Sequence, residues 1–291
     1  MSWRVVVVSE HAKIDFKVNY LVVRKLDGTI KIHISEIGVL IVESTAVSIT
    51  AYTLCELIEK KIKVIFCDHL RNPCSELVPC SGCHDSCDKI RRQMLWQVGA
   101  KQSVWTEIVR EKIKRQSEHL CRRGLEQHAL LDSYIEQLEY NDKSNREGHA
   151  AKVYFNALFG LQFTRADDCP INAALNYGYS IILSAINREI SAAGYLNQLG
   201  IFHDNTYNPY NFGCDLMEPL RPLVDCAAYD LMPEKFEHEE KMNFVNLLNN
   251  EVIVDNKKQY LLFALRIYCS SVFKALQNGD VSEIKWIRYE L

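Results

Sequence analysis

Asn72-Pro73-Cys74-Ser75-Glu76-Leu77-Val78-Pro79-Cys80-Ser81-Gly82-Cys83-His84-Asp85 is the stretch at which the chain changes character. It gathers two prolines, a glycine and small polar residues, all of which interrupt regular backbone. Upstream, residues 3–8, 12–16, 20–23, 29–34 and 39–42 are short runs rich in β-branched side chains and read as strands. Asp27-Gly28 supplies turn chemistry between two of them. Residues 45–61, with Ala51, Leu54, Cys55 and Ile58 at helical spacing, read as one helix, and 62–66 as a further strand. Downstream, apolar residues recur every three to four positions over 90–119, 124–140, 146–163, 170–193, 241–249 and 257–277. The fold class expected is α+β. A small β-rich N-terminal domain (1–75, one helix) leads through a linker (76–88) into a larger all-α domain (89–291).

At 291 residues and 33.6 kDa, 48% hydrophobic and 24% charged, the chain has ordinary globular composition and length for a substantial core. The apolar runs 5–8 and 38–42 fall far short of the roughly 18 residues of a membrane span. No basic segment leads into an apolar stretch with a cleavage site at the N-terminus, so a cytosolic location is expected. The net charge is −3, but residues 89–123 carry 10 basic against 3 acidic side chains. That excess suffices for a phosphate-binding surface if the side chains share a face, and otherwise makes a solvated helical face.

Eleven cysteines, an odd number, cannot all pair within one chain, and a cytosolic setting keeps thiols reduced. Cys67, Cys74, Cys80, Cys83 and Cys87 cluster around His84, and thiolates at such spacing can hold tetrahedral zinc. No second CxxC pair closes the site, however. Inert thiols used as small apolar residues are the simpler reading.

Three segments carry candidate chemistry. Glu147 lies at i, i+4, i+7 and i+11 with Ala151, Tyr154 and Leu158, which puts a carboxylate on an apolar helix face. Such a carboxylate needs a cation or a metal; alternatively, Ser144-x-x-Glu147 is a capping box. His203 leaves the apolar Gly200-Ile201-Phe202 for a turn-rich loop and is a possible ligand or general acid–base, or a plain surface histidine. Asp215 and Glu218 share a face at i and i+3 and offer the oxygens that hard divalent cations prefer. Their alternative is again a helix cap, with Asp215 at the N-cap and Glu218 at N3.

Taken in order, four motifs resemble one family. They are Asn145-Arg146-Glu147-Gly148-x-Ala150-Ala151-x-x-Tyr154-Phe155, Leu175-Asn176-Tyr177-Gly178-Tyr179, Gly200-x-x-His203, and Asp215-Leu216-Met217-Glu218-Pro219-x-Arg221-Pro222-x-Val224-Asp225. The chain is similar over essentially its whole length to the CRISPR-associated integrase and endonuclease family of the spacer-acquisition complex. Met1-Ser2-Trp3-Arg4 and Asn72-Pro73-x-Ser75-Glu76-Leu77 look like its type II-A branch.

The resemblance implies a Mg²⁺- or Mn²⁺-dependent DNA integrase and endonuclease. The 3′-hydroxyl of a captured DNA fragment would attack a phosphodiester at the edge of a CRISPR repeat. The implied catalytic and metal-ligating residues are Glu147, His203 and Glu218, with Asp215 auxiliary. Candidate contacts to DNA phosphates are Arg91, Arg92, Lys112, Lys114, Arg115, Arg122 and Arg123. The family also implies a homodimer, a heterohexamer with a small ferredoxin-like partner, and, for type II-A, a ring-shaped accessory protein and an RNA-guided effector nuclease. Two competing readings are a non-catalytic DNA-binding scaffold whose acidic residues are helix caps, and a zinc-dependent regulator built on the cysteines.

Overall fold

The computed structural model describes residues 4–80 and 83–290; Met1-Ser2-Trp3, quoted above for the branch, and Ser81-Gly82 of the boundary stretch lie outside these. The N-terminal half holds β1 (Arg4–Val8), β2 (Ala12–Lys17), β3 (Tyr20–Lys25), β4 (Gly28–His33), β5 (Ile37–Val42), β6 (Val47–Ile49), α1 (Ala51–Glu59), β7 (Lys63–Cys67) and β8 (Pro73–Leu77). Two four-stranded sheets result, in the orders β4-β3-β2-β6 and β1-β5-β7-β8. The strands β1, β5 and β7 run parallel, which accounts for the unalternating apolar sequence of Ile37–Val42: every residue of β5 is buried. Leu40 and Val42 pack with Ile14, Leu21 and Val23 between the sheets, while Val39 and Ile41 join the core of the helical half.

Two expectations change here. The helix expected over 45–61 begins only at Ala51, because Val47–Ile49 pairs in parallel with β2. Thr50 caps it, its Oγ1 accepting from the Thr53 amide at 3.2 Å. The strand β8 runs to Leu77, two residues into the expected linker, and pairs antiparallel with β7.

The second half holds α2 (Ser86–Met94), α3 (Val98–Arg122), α4 (His128–Glu136), α5 (Arg146–Phe159), α6 (Pro170–Ala192), α7 (Asn211–Met217), α8 (Arg221–Leu231), α9 (His238–Asn246), the hairpin β9 (Glu251–Val254) and β10 (Lys257–Tyr260), and α10 (Leu261–Asn278). Residues 257–260, expected to open a helix, instead form β10, paired with β9 across Asp255-Asn256, both at positive φ as a tight hairpin turn requires. The halves are tied by polar contacts. Lys241 of α9 donates to the Leu70 carbonyl at 2.8 Å and to Asn72 Oδ1 at 3.2 Å, and Arg188 of α6 to the Lys61 carbonyl at 2.9 Å. No helix among the described residues is long and apolar enough to cross a membrane.

Gly178 lets α6 lie against α8 and α9. A Cβ there would collide with Val224 Cγ1 and stand 2.6 Å from Phe244 Cδ1. Gly178→Ala is therefore expected to cost about 1–3 kcal/mol by overpacking, despite the better helix propensity of alanine. Chemical denaturation checks this; equal or greater stability of the variant contradicts it.

Candidate functional site

Helix α3 runs through the middle of the second half, and Trp105, Ile108 and Lys112 fall on its buried side at i, i+3 and i+7. The Lys112 ammonium is nearly excluded from solvent and donates to two carboxylates at once, Glu147 Oε1 and Glu218 Oε2. The other oxygen of Glu218 accepts from Arg221 Nε at 2.9 Å. Burial works against the Glu218 charge, but Arg221 and Lys112 outweigh it and hold the carboxyl down at about 2. Burial likewise opposes the Lys112 charge, and Glu218 and Glu147 overcome it, raising its pKa above the ordinary lysine value.

Neither glutamate serves as a cap. The first turn of α5 is capped by Asp142, whose carboxylate accepts from the Arg146 amide at 2.6 Å and the Glu147 amide at 3.1 Å. Ser144, the capping residue of the alternative reading, has a buried hydroxyl without a partner among the described residues. Glu147 at the second position of the helix is thus free to reach Lys112, and it remains part-exposed while Glu218 forms the floor. Asp215 lies within α7, not at its start. Fully buried, it accepts from the amides of Ile201 (2.6 Å), Phe202 (3.3 Å) and His203 (3.0 Å). The backbone closes so tightly on this carboxylate that a Cβ on Gly200 would stand 2.8 Å from Asp215 Oδ2, which explains Gly200-x-x-His203.

Asp215 Oδ1 also bonds His203 Nδ1 at 2.6 Å. That hydrogen bond, against the cost of burial and helped by the Asp215 and Glu218 charges, raises the His203 pKa above the ordinary histidine value. The His203 ring stands edge-on to Trp105, and Phe202 stacks flat on Trp105 with ring centres 4.2 Å apart. Glu147 and Glu218 therefore meet from different elements, with the part-exposed His203 near enough to feel the Glu218 charge. The two carboxylates share an atom, Lys112 Nζ, while the imidazole is turned to Asp215. Among the described residues, no three His, Cys, Asp or Glu side chains form a group able to hold a metal ion as they stand.

The same finding bears on the cysteines: Cys67 is buried with its thiol pushed by burial to about 12, Cys83 bonds Asp85 at 2.9 Å, and Cys74, Cys80 and Cys87 are exposed. The expected phosphate contacts also separate. Arg91, Arg92, Lys114 and Arg122 are exposed. Lys112 is a correction, committed to the carboxylates. Arg115 is another, buried and bonded to Glu111, Glu118 and the Ile287 carbonyl. Arg123 pairs with Asp230 at 2.6 Å and lies over the Tyr229 ring. Lys112 and Arg115 point inward because helical periodicity places them on the packed side of α3, while Arg123, just past its end, is part-exposed and engaged by Asp230.

The model of the family described as CRISPR associated protein Cas1 matches residues 5–259. The chain belongs to that family. A Neisseria meningitidis serogroup C (strain 8013) protein named CRISPR-associated endonuclease Cas1 is 29% identical over 291 residues, 98% of this chain and 96% of that one. Among solved structures, a casposase bound to integration product superposes with a TM-score of 0.76 at 16% identity, over 96% of this chain and 91% of that one. A Cas6-RT-Cas1–Cas2 complex superposes at 0.75 and 18% identity over 99% of this chain; the chain spans only 36% of that longer one. The β-rich half followed by a helical half is thus the Cas1 fold.

In this Cas1-family chain, Asp225 is fully buried against Tyr179, whose hydroxyl bonds Oδ1, while Oδ2 has no partner among the described residues. Arg221 stacks over the same tyrosine at 4.6 Å. Burial lifts the Asp225 carboxyl to about 7, against the pull of Tyr179, Arg221, Lys112 and Arg165. An unfolded aspartate titrates near 3.9, so between those values the folded chain binds more protons and this group's contribution to stability falls as pH rises. Asp225→Asn keeps the shape and removes that titration. The melting temperature of the variant relative to the parent should therefore rise from pH 5 to pH 8; a pH-independent difference contradicts this.

Proposed function

We propose that this Cas1-family chain is a divalent-metal-dependent DNA endonuclease and integrase that inserts captured DNA into a CRISPR array. The convergence of Glu147 and Glu218 on one buried cationic atom, with His203 held beside them, carries the reading. A pair of carboxylates drawn together around a cation has the donor chemistry that Mg²⁺ or Mn²⁺ requires, and an imidazole adds a third donor. Glu147, Glu218 and the free Nε2 of His203 would hold the metal. When bound, it would neutralise charge on the attacked phosphate and promote ionisation of the attacking hydroxyl.

The chain's own groups prepare that chemistry. Asp215 fixes the His203 ring by its Nδ1, as carboxylates commonly orient ligating histidines. Arg221 keeps Glu218 ionised from behind. Trp105 carries Phe202 flat on its face and the His203 ring edge-on, which helps hold the imidazole in place. The open rim, made by Glu147 and His203, is where a phosphodiester would enter. The casposase likeness supports strand transfer, a 3′-hydroxyl displacing one phosphodiester oxygen without a covalent enzyme–DNA intermediate.

The Cas1–Cas2 likeness supports assembly with a small ferredoxin-like partner as a heterohexamer built from Cas1 homodimers. The Asn72-Pro73-x-Ser75-Glu76-Leu77 motif, which forms the edge strand β8, supports the type II-A branch and its accessory proteins. The setting would be cytoplasmic.

Glu147→Ala, His203→Ala and Glu218→Gln should each lower Mn²⁺-supported strand transfer by about 100-fold or more, as loss of a transition-state electrostatic contact does. Affinity for duplex DNA should change much less, because phosphate contacts elsewhere supply it. Strand-transfer and filter-binding assays check both; full activity in all three variants defeats the assignment and favours the scaffold reading.

A further inference from the structure

We infer that Lys112 is the resident counter-ion of the carboxylate pair, and that a divalent metal enters the cleft only by displacing it. This rests on the metal-dependent reading above and deepens it. Lys112 sits in the middle of the longest helix, its side chain only 6% exposed, with Nζ donating to Glu147 and Glu218 together. Arg221 takes the remaining side of Glu218. Two negative charges thus face two positive ones, and the cluster is neutral without metal.

A divalent ion on the same oxygens, with both basic side chains still in place, would set four positive charges against two negative. With Lys112 and Glu218 nearly excluded from solvent, that excess is costly. Arg221 is held by stacking on Tyr179 as well as by Glu218. Lys112 has a flexible four-carbon stem and, among the described residues, no hydrogen-bond partner besides the two carboxylates. It is the cation that can leave. The geometry makes the folded chain stable before metal arrives and sets a competition that weakens metal affinity.

Lys112→Met and Lys112→Gln test this through metal binding and stability, independent of activity. Mn²⁺ titration by calorimetry, and thermal melts with chelator or with Mn²⁺, are the readouts. The parent should melt at nearly the same temperature under both conditions. Metal-free Lys112→Met should melt several degrees lower, recover when Mn²⁺ is added, and bind Mn²⁺ about tenfold or more tightly than the parent. Lys112→Gln, which keeps a neutral donor for the carboxylates, should move the same way by less and decides the matter if the methionine variant does not fold. Equal Mn²⁺ affinity of parent and foldable variant, or equal metal-free melting, overturns the role given to Lys112 while leaving the metal reading intact. Absence of Mn²⁺ binding in parent and variants alike overturns the metal reading and this inference together.

Discussion

Two carboxylates brought together where one of them is buried repel each other unless a cation stands between them, and that constraint organises the second half of this chain. Glu147 and Glu218 are 71 positions apart in sequence, and neither has a local reason to approach the other. They meet because α3 carries a lysine on its buried side and because α5 and the turn before α8 both pack on α3. A single unpaired charge there would be costly, and a balanced group of four costs far less. The other parts follow from it. Arg221 must stand behind Glu218, Asp142 must take over the capping of α5 so that Glu147 is free, and Asp215 must anchor the His203 loop at the rim.

The arrangement also divides labour between floor and rim. Glu218 and Asp215 are buried and fixed by multiple hydrogen bonds, whereas Glu147 and His203 keep part of their surface open. A substrate phosphate approaching from solvent would meet the two side chains that are able to adjust, on a base that is not. The N-terminal sheets take no direct part. The β1-β5-β7-β8 sheet packs on the helical half through Val39, Ile41, Ile65 and Cys67, and the polar ties at Lys241 and Arg188 fix the two halves against each other.

Much of the fold was legible in the sequence. Strand runs before Asn72 and helical periodicity after Asp85 yield the α+β order, and the Pro- and Gly-bearing stretch marks the change. What periodicity could not see were short strands whose pairing partner is distant: Val47–Ile49 joins β2, and Lys257–Tyr260 joins β9, so tertiary pairing overrode a helical reading in both. For the site, three of the four motifs located Glu147, His203, Asp215 and Glu218, but could not decide between ligands and caps or a plain surface histidine. The caps turned out to be elsewhere, at Asp142 for α5. Lys112 was counted among phosphate contacts by charge alone, yet its spacing from Trp105 and Ile108 already placed it on the inner face. Arg221, Tyr179 and Asp225 stood in the motifs without a role, because their function is to face one another across α6 and α8.

The central claim is that Glu147 and Glu218 form a cation site open to a divalent ion. Anomalous diffraction from crystals of the protein soaked in Mn²⁺ addresses it directly. One strong peak is expected between these two carboxylates, within coordination distance of both and of His203 Nε2, with the Lys112 ammonium moved away. A map with no peak there, and Lys112 still seated on both glutamates at saturating Mn²⁺, would contradict it.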